Sequence, residues 1–249
     1  YDYFIMLLAI DIGNSHVVCA IYDSKKWIHN IRIPSNMNFW QKFSSLEKYD
    51  ITFATISSVV PRLTPIYTEA IKNLFHIESL IIDHLNSNVE LNVDSPNEVG
   101  ADRICNSIAA KELFGYPAIV GDIGSATNYD VIDESGAFIG GAIAPGLKTA
   151  ANNLIEKAAL LKETLFTIPN NVVGKNTTTN LQSGIMLGAI DIIEGMFNRI
   201  ETEMKWDKPY RIITGGFGEL ISPNLEFTHS LAPNLTIEGI RIIHKRNTH

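Results

Sequence analysis

The sequence predicts an α/β fold with mixed sheets, built by duplication, and three observations carry that prediction. A strand-end motif occurs twice, strand-like runs and polar turns follow each copy, and the stretches between them have helical periodicity. The two motifs are Ala9-Ile10-Asp11-Ile12-Gly13-Asn14-Ser15 and Val120-Gly121-Asp122-Ile123-Gly124-Ser125-Ala126, 111 residues apart. At the same offset Ile21 matches Ile132, Ser24 matches Ser135, Trp27 faces Phe138 and Ile28 matches Ile139.

In chain order, the apolar run from Phe4 to Ile10 ends at Asp11 and reads as a buried strand. It has no basic region before it and is too short for a signal peptide or a membrane span. Met6 reads as a start, so residues 1–5 are set aside. A Gly turn, a second strand of β-branched residues, the polar turn Asp23 to Lys26 and a third strand complete the first meander. Ile51 to Ser57 reads as a short buried strand. Ala101 to Phe114 carries Ile104, Ile108 and Leu113 on one helical face, with Gly115 and Pro117 as the stop. The second meander repeats the first, with its polar turn at Asp133 to Gly136. Gly140 to Gly146 (GGAIAPG) reads as a glycine-rich loop leading into a helical run. Leu181, Ile185, Ile192, Met196 and Ile200 mark a long helix, and Arg211 to Thr214 a last short strand before Gly215-Gly216.

Composition narrows the function classes. Lys and Arg number 20 against 27 Asp and Glu, a net charge of −7, which offers no electrostatic footprint for nucleic acid or an anionic membrane. The two cysteines, Cys19 and Cys105, stand far apart with no zinc-like spacing, as expected for reduced thiols in a cytoplasmic protein. At roughly 150 residues per domain, 249 residues suit one large domain or two smaller ones, and the repeat favours two halves.

One Asp-Ile-Gly turn is commonly only a hairpin corner. Two copies point to a ligand, because each glycine lets backbone N–H groups approach phosphate oxygens and each carboxylate can hold a hydrated cation. Asn14, Ser15, Ser125 and Thr127 add neutral donors. In Glu98-Val99-Gly100-Ala101-Asp102-Arg103, Asp102 sits in the first turn of a helix, as a cap or as a catalytic base. Arg103 suits bidentate recognition of a carboxylate or phosphate, or an ion pair with Glu98 or Asp102. Gly174-Lys175-Asn176-Thr177 lacks the spacing of a phosphate loop, and no GxGxxG follows a strand. His16 lies inside the first hairpin, and the remaining histidines are scattered.

The ordered set of motifs resembles the type III pantothenate kinase family from about Met6 to Ile243. It comprises Asp11 to Ser15, Ser57-Ser58-Val59-Val60-Pro61, Gly100 to Arg103, Asp122 to Thr127, GGAIAPG, GKNT, Gln182-Ser183-Gly184 and Thr214-Gly215-Gly216. The resemblance implies the acetate and sugar kinase/Hsc70/actin superfamily. Its fold is a duplicated ribonuclease H-like fold, here expected as halves 6–115 and 116–249 with ATP in the cleft between them. It implies phosphorylation of the primary hydroxyl of pantothenate, the first step of coenzyme A biosynthesis. The alternative is a non-catalytic regulatory or transcription accessory protein of the same fold.

By the same resemblance, Asp11, Ile12, Gly13, Asn14, Ser15, His16, Val17 and Val18 form the first phosphate-binding segment, with Asp11 near Mg²⁺, directly or through water. Asp122 resembles a monovalent-cation ligand for K⁺ or NH₄⁺, Ser125 replaces an ATP-contacting Thr, and Gly215 and Gly216 match the adenosine motif. Val93, Gly100, Ala101, Asp102, Arg103 and Thr177 match substrate positions, with Asp102 as proton acceptor. The pocket is implied to lie near a homodimer interface. Val93 stands where the family usually has an aromatic residue; His16 and Asn128 replace small polar residues, and Ala20 a glycine.

Overall fold

The computed structural model describes residues 6–35, 38–157 and 166–248. Phe4 and Ile5 of the first predicted strand lie outside them. In chain order the elements are β1 (Leu7–Ile12), β2 (His16–Tyr22), β3 (Trp27–Pro34), α1 (Trp40–Phe43), β4 (Phe53–Ser58), α2 (Thr64–Phe75), β5 (Ser79–Ile81) and α3 (Ala101–Leu113). Then come β6 (Ala118–Ile123), β7 (Ala126–Ile132), β8 (Phe138–Pro145), α4 (Leu147–Lys157), α5 (Thr177–Gln182), α6 (Gly188–Met204), β9 (Tyr210–Thr214), α7 (Gly218–Ile221), β10 (Ser230–Leu231) and α8 (Leu235–Thr248). A π-helical turn, Ser183–Leu187, joins α5 to α6, so the long predicted helix is one helical run with a bulge. No described helix is long and apolar enough to cross a membrane.

The chain forms two units. The first holds a five-stranded sheet in the order β3-β2-β1-β4-β5, with β1, β2 and β3 antiparallel and β4 and β5 parallel to β1. Alternation along β1 sends Leu8, Ile10 and Ile12 into a core under α2, shared with Phe43, Tyr67 and Ile71. The opposite face carries Ala9 and Ala20 and packs against Ile104, Cys105 and Ile108 of α3 and Ile237 and Ile240 of α8. Small residues on this face let the helices close in. A Cβ at Gly239 of α8 would overlap the carbonyl group of Cys105 in α3, so the two helices meet backbone to backbone.

The second unit repeats the sheet, in the order β8-β7-β6-β9-β10, with the same pattern of antiparallel and parallel neighbours. Ile119, Tyr129 and Ile213 on one face pack against Met186, Ile193 and Phe197. The offset of the repeat is not constant. Leu7 pairs with Tyr22 while Ala118 pairs with Ile132, so Tyr22, not Ile21, is the equivalent of Ile132. The first hairpin is one residue longer. The next turn restores the register, since Trp27 pairs with Tyr22 and Phe138 with Ile132. Both polar turns are tied by an aspartate: Asp23 Oδ1 accepts from the amides of Lys25 and Lys26, and Asp133 Oδ1 from those of Ser135 and Ala137.

Two expectations need correction. GGAIAPG is largely strand, not loop: Gly140 to Pro145 belong to β8, and Gly140 and Gly141 take positive φ where the ladder to β7 is irregular. The half expected at 116–249 ends early. The second compact unit is Gly115–Pro233, and the segment from Asn234 returns to the first. Side chains distant in sequence hold it there: Thr55 Oγ1 meets His244 Nδ1 at 3.0 Å, Trp27 donates to Glu238 at 2.6 Å, and Thr236 donates to Asn106 at 2.8 Å.

Because α3 and α8 touch through backbone, Gly239→Ala is expected to cost about 1–3 kcal/mol by overpacking. Thermal unfolding should report this as a fall of several degrees in Tm. An unchanged Tm would mean that the helices can separate without loss.

Candidate active site

The first candidate site lies where β1 and β4 end together. Asp11 pairs with Ser57 in the parallel ladder, and the Ser57 hydroxyl donates to Asp11 Oδ1 at 3.1 Å. Beyond Asp11 the chain turns through Gly13, Asn14 and Ser15. The Gly13 amide donates to the His16 carbonyl at 3.0 Å, and the Ser35 hydroxyl donates to the Gly13 carbonyl at 2.7 Å. Asn14 and Ser15 are exposed at the tip. Ile12 and Val17 are fully buried core residues, so only their backbone faces a ligand.

Helix α3 starts over the same face. Gly100 precedes it in an extended conformation, and a Cβ there would stand 2.6 Å from Asp102 Oδ1 and 3.2 Å from Val59 Cγ1. The missing side chain leaves the Asp102 carboxylate room to fold back, where Oδ1 accepts from the Arg103 amide at 2.8 Å. Asp102 thus stands in the first turn of α3, bonded to the amide of the next residue. Burial pushes its carboxyl above the usual aspartate range, and the Arg103 amide and guanidinium oppose that shift. Cys105, one turn along, links the two acids. Its buried thiol is raised well above the ordinary value by desolvation, then by the charges of Asp11 and Asp102, with the neighbouring Ser57 side chain opposing the shift. Ser57 and Asp11 are thus bonded on the face that α3 covers, and the Cys105 thiol feels the charges of both Asp11 and Asp102. Val93 is half-buried in the segment before α3, whose Leu91 and Val99 pack on the α3–α8 core.

In the second unit the equivalent strand end carries Asp122, paired with Asn128 on β7 and Thr214 on β9. Gly215 follows with φ +88°, and a Cβ there would overlap Asp122 Oδ1 and the Ile123 backbone. The absent side chain lets the end of β9 pack directly against the Asp122 carboxylate. The exposed Ser125 lies in the β6–β7 turn, where its carbonyl accepts from Thr149 at 2.7 Å; Gly216 is exposed after β9. Among the described residues, no group of three or more His, Cys, Asp or Glu could cage a metal ion. In the first unit, Asp11 beside the exposed turn of Asn14 and Ser15 offers the single carboxylate that a Mg²⁺ ion otherwise held by water and substrate phosphates would need.

Thr177 opens α5, exposed, beside a cavity of about 680 Å³ between the sheet and α4, α5 and α6. The GKNT stretch is a capping box, with Asn176 Oδ1 accepting from the Thr179 amide at 3.0 Å. The structure thus groups Asp11, Gly13 to Val18, Val93 and Gly100 to Arg103 in one unit, and Asp122, Ser125, Thr177, Gly215 and Gly216 in the other. Sequence reasoning gave Ser57 no role of its own and passed over Cys105. The available signal was Ser57's place at the end of a strand parallel to the Asp11 strand.

Residues 7–199 match the type III pantothenate kinase family. A type III pantothenate kinase of Moorella thermoacetica is 38% identical over 255 residues, 98% of this chain and 100% of that protein. Among solved structures, a Campylobacter jejuni protein named for the Baf family of transcriptional activators aligns with TM-score 0.62 and 19% identity, over 97% of this chain and 98% of that one. Component A of (R)-2-hydroxyglutaryl-CoA dehydratase from Acidaminococcus fermentans aligns with TM-score 0.54 and 15% identity, over 98% and 100%. At these identities the two structures speak to the fold alone, the duplicated ribonuclease H-like fold that the paired sheets repeat. The family match and the near-complete identity span settle membership: this chain belongs to the type III pantothenate kinase family.

Proposed function

We propose that this chain transfers the γ-phosphoryl group of ATP to the primary hydroxyl of pantothenate, the first step of coenzyme A biosynthesis. The observation that carries the mechanism is Asp102, a partly buried carboxyl raised above its ordinary range at the polar end where Asp11 lies. Phosphoryl transfer passes through a loose transition state, so positioning and charge neutralisation do most of the work. Asp102 accepts a hydrogen bond from the pantothenate hydroxyl and takes its proton late in the transfer; its raised pKa makes it a better acceptor. Arg103 faces the substrate's carboxylate or another polar end. Asp11, with the turn from Gly13 to Ser15, receives the phosphates and a hydrated divalent ion. Bound Mg²⁺ supplies charge neutralisation to the phosphate oxygens, which an acidic protein needs in order to hold an anionic nucleotide.

In the second unit, Asp122 holds K⁺ or NH₄⁺, Ser125, Gly215 and Gly216 contact the nucleotide, and Thr177 contacts the substrate. The homodimer belongs to the same reading. Ile192 and Leu154, 57% and 47% exposed beside the cavity that Thr177 lines, are apolar surface that a partner would cover. The two buried free cysteines support a cytoplasmic setting.

With ATP, Mg²⁺, K⁺ and pantothenate, the wild-type protein should form 4′-phosphopantothenate, detected by mass spectrometry or a coupled assay; no product would overturn the reading. Asp102→Asn should lower kcat by at least about 100-fold. The base must be ionised, so kcat/KM should fall below a midpoint that lies above the ordinary aspartate value of about 3.9. The same shift has a cost in stability. The folded state favours protonated Asp102, so its contribution is lost as pH rises through the folded pKa. Asp102→Asn should therefore raise Tm at pH 7, with the gain shrinking toward acid pH. Replacing K⁺ with Na⁺ should lower the wild-type rate several-fold, and Asp122→Asn should abolish that difference. A wild-type rate indifferent to the cation would remove the role given to Asp122.

A further inference from the structure

The face that carries Asp11 continues across the sheet. Asp11 pairs with Val18, and Val18 pairs with Arg32 on the edge strand β3. Directly opposed residues share a face, so Arg32 stands on the same side as Asp11, two strand spacings or about 10 Å away. His16 belongs to that face as well, two residues before Val18. Arg32 is exposed, and its NH2 group lies 3.3 Å from His16 Nδ1. A guanidinium can only donate, so Nδ1 is the acceptor and a neutral imidazole then carries its proton on Nε2. The contact with Arg32 thereby selects the neutral tautomer of His16 that is protonated on Nε2. The pair stands beside the exposed turn of Asn14 and Ser15.

We propose that Arg32, acting with His16, binds the phosphate chain of the nucleotide. The inference rests on the kinase reading given above and adds a residue to it. The chemistry matches a polyphosphate: a permanent cation with a planar fork of donors, beside an imidazole and the exposed turn of Asn14 and Ser15. A lone arginine guarding the edge strand against pairing would need neither the imidazole contact nor the shared face with Asp11.

The test is nucleotide binding measured by calorimetry with Mg²⁺ and ATP, and separately with adenosine, alongside steady-state kinetics. Arg32→Ala should raise the Kd for ATP about 10-fold or more, as expected for loss of a charge-assisted contact. Arg32→Lys should recover part of the affinity by keeping the charge. Affinity for adenosine and the KM for pantothenate should stay within about two-fold of wild type. Equal ATP affinity in Arg32→Ala and wild type would overturn the inference, as would equal losses for ATP and adenosine, which mark a purely structural effect. Wild-type phosphorylation of pantothenate combined with an unaffected Arg32→Ala would overturn this inference alone. A wild-type protein that binds no ATP would overturn it together with the kinase reading.

Discussion

The parallel pairing of β1 with β4 brings Asp11 and Ser57 to the same level at the end of one sheet face. Ala9 and Ala20 at the centre of that face are small, so α3 and α8 pack closely over it. Their backbones touch at Cys105 and Gly239. Close packing fixes the height of α3, which sets the first turn of the helix over the strand end and brings Asp102 near Asp11. A bulkier residue at any of these contacts would lift the helix and move the Asp102 carboxyl. Productive geometry is sensitive to displacements of about 1 Å.

Electrostatics and packing pull against each other here. Burial raises the Cys105 thiol most, and the charges of two acids add to it. The structure meets this with local donors: Ser57 for Asp11, and the amide and charge of Arg103 for Asp102. Neither removes the net negative character of the site. In the proposed mechanism the balance is supplied by cations that arrive with the nucleotide, so the overall charge of −7 is matched to the ligand's own counterions. The duplicated unit uses the same strand end differently. Asp122 pairs with Thr214 where Asp11 pairs with Ser57, and Gly215 packs directly against its carboxylate.

Local signals made much of this legible in the sequence. The strands of both meanders follow from β-branched runs and polar turns, and α3 from its apolar spacing and Gly-Pro stop. The pairing of Asp11 with Asp122 followed from the repeat itself. What escaped was set by contacts distant in sequence. The return of α8 to the first unit depends on Trp27, Thr55 and Asn106, more than a hundred residues away in the chain. GGAIAPG read as loop because glycine is a turn former, whereas β7 recruits it as an irregular edge strand. The one-residue slip within the repeat is visible only when the strands are paired. Candidate site residues with a motif were found, while Ser57 and Arg32 take their meaning from register.

Packing holds the Asp102 carboxyl in a desolvated position, above the range of an ordinary aspartate. A ¹³C-carboxyl NMR titration of the folded protein tests it most directly, with Asp23 as an internal reference, since backbone amides hold that exposed turn carboxylate below the ordinary range. The account predicts that Asp102 titrates above the ordinary aspartate value and well above Asp23. An Asp102 midpoint at or below that of Asp23 would contradict it.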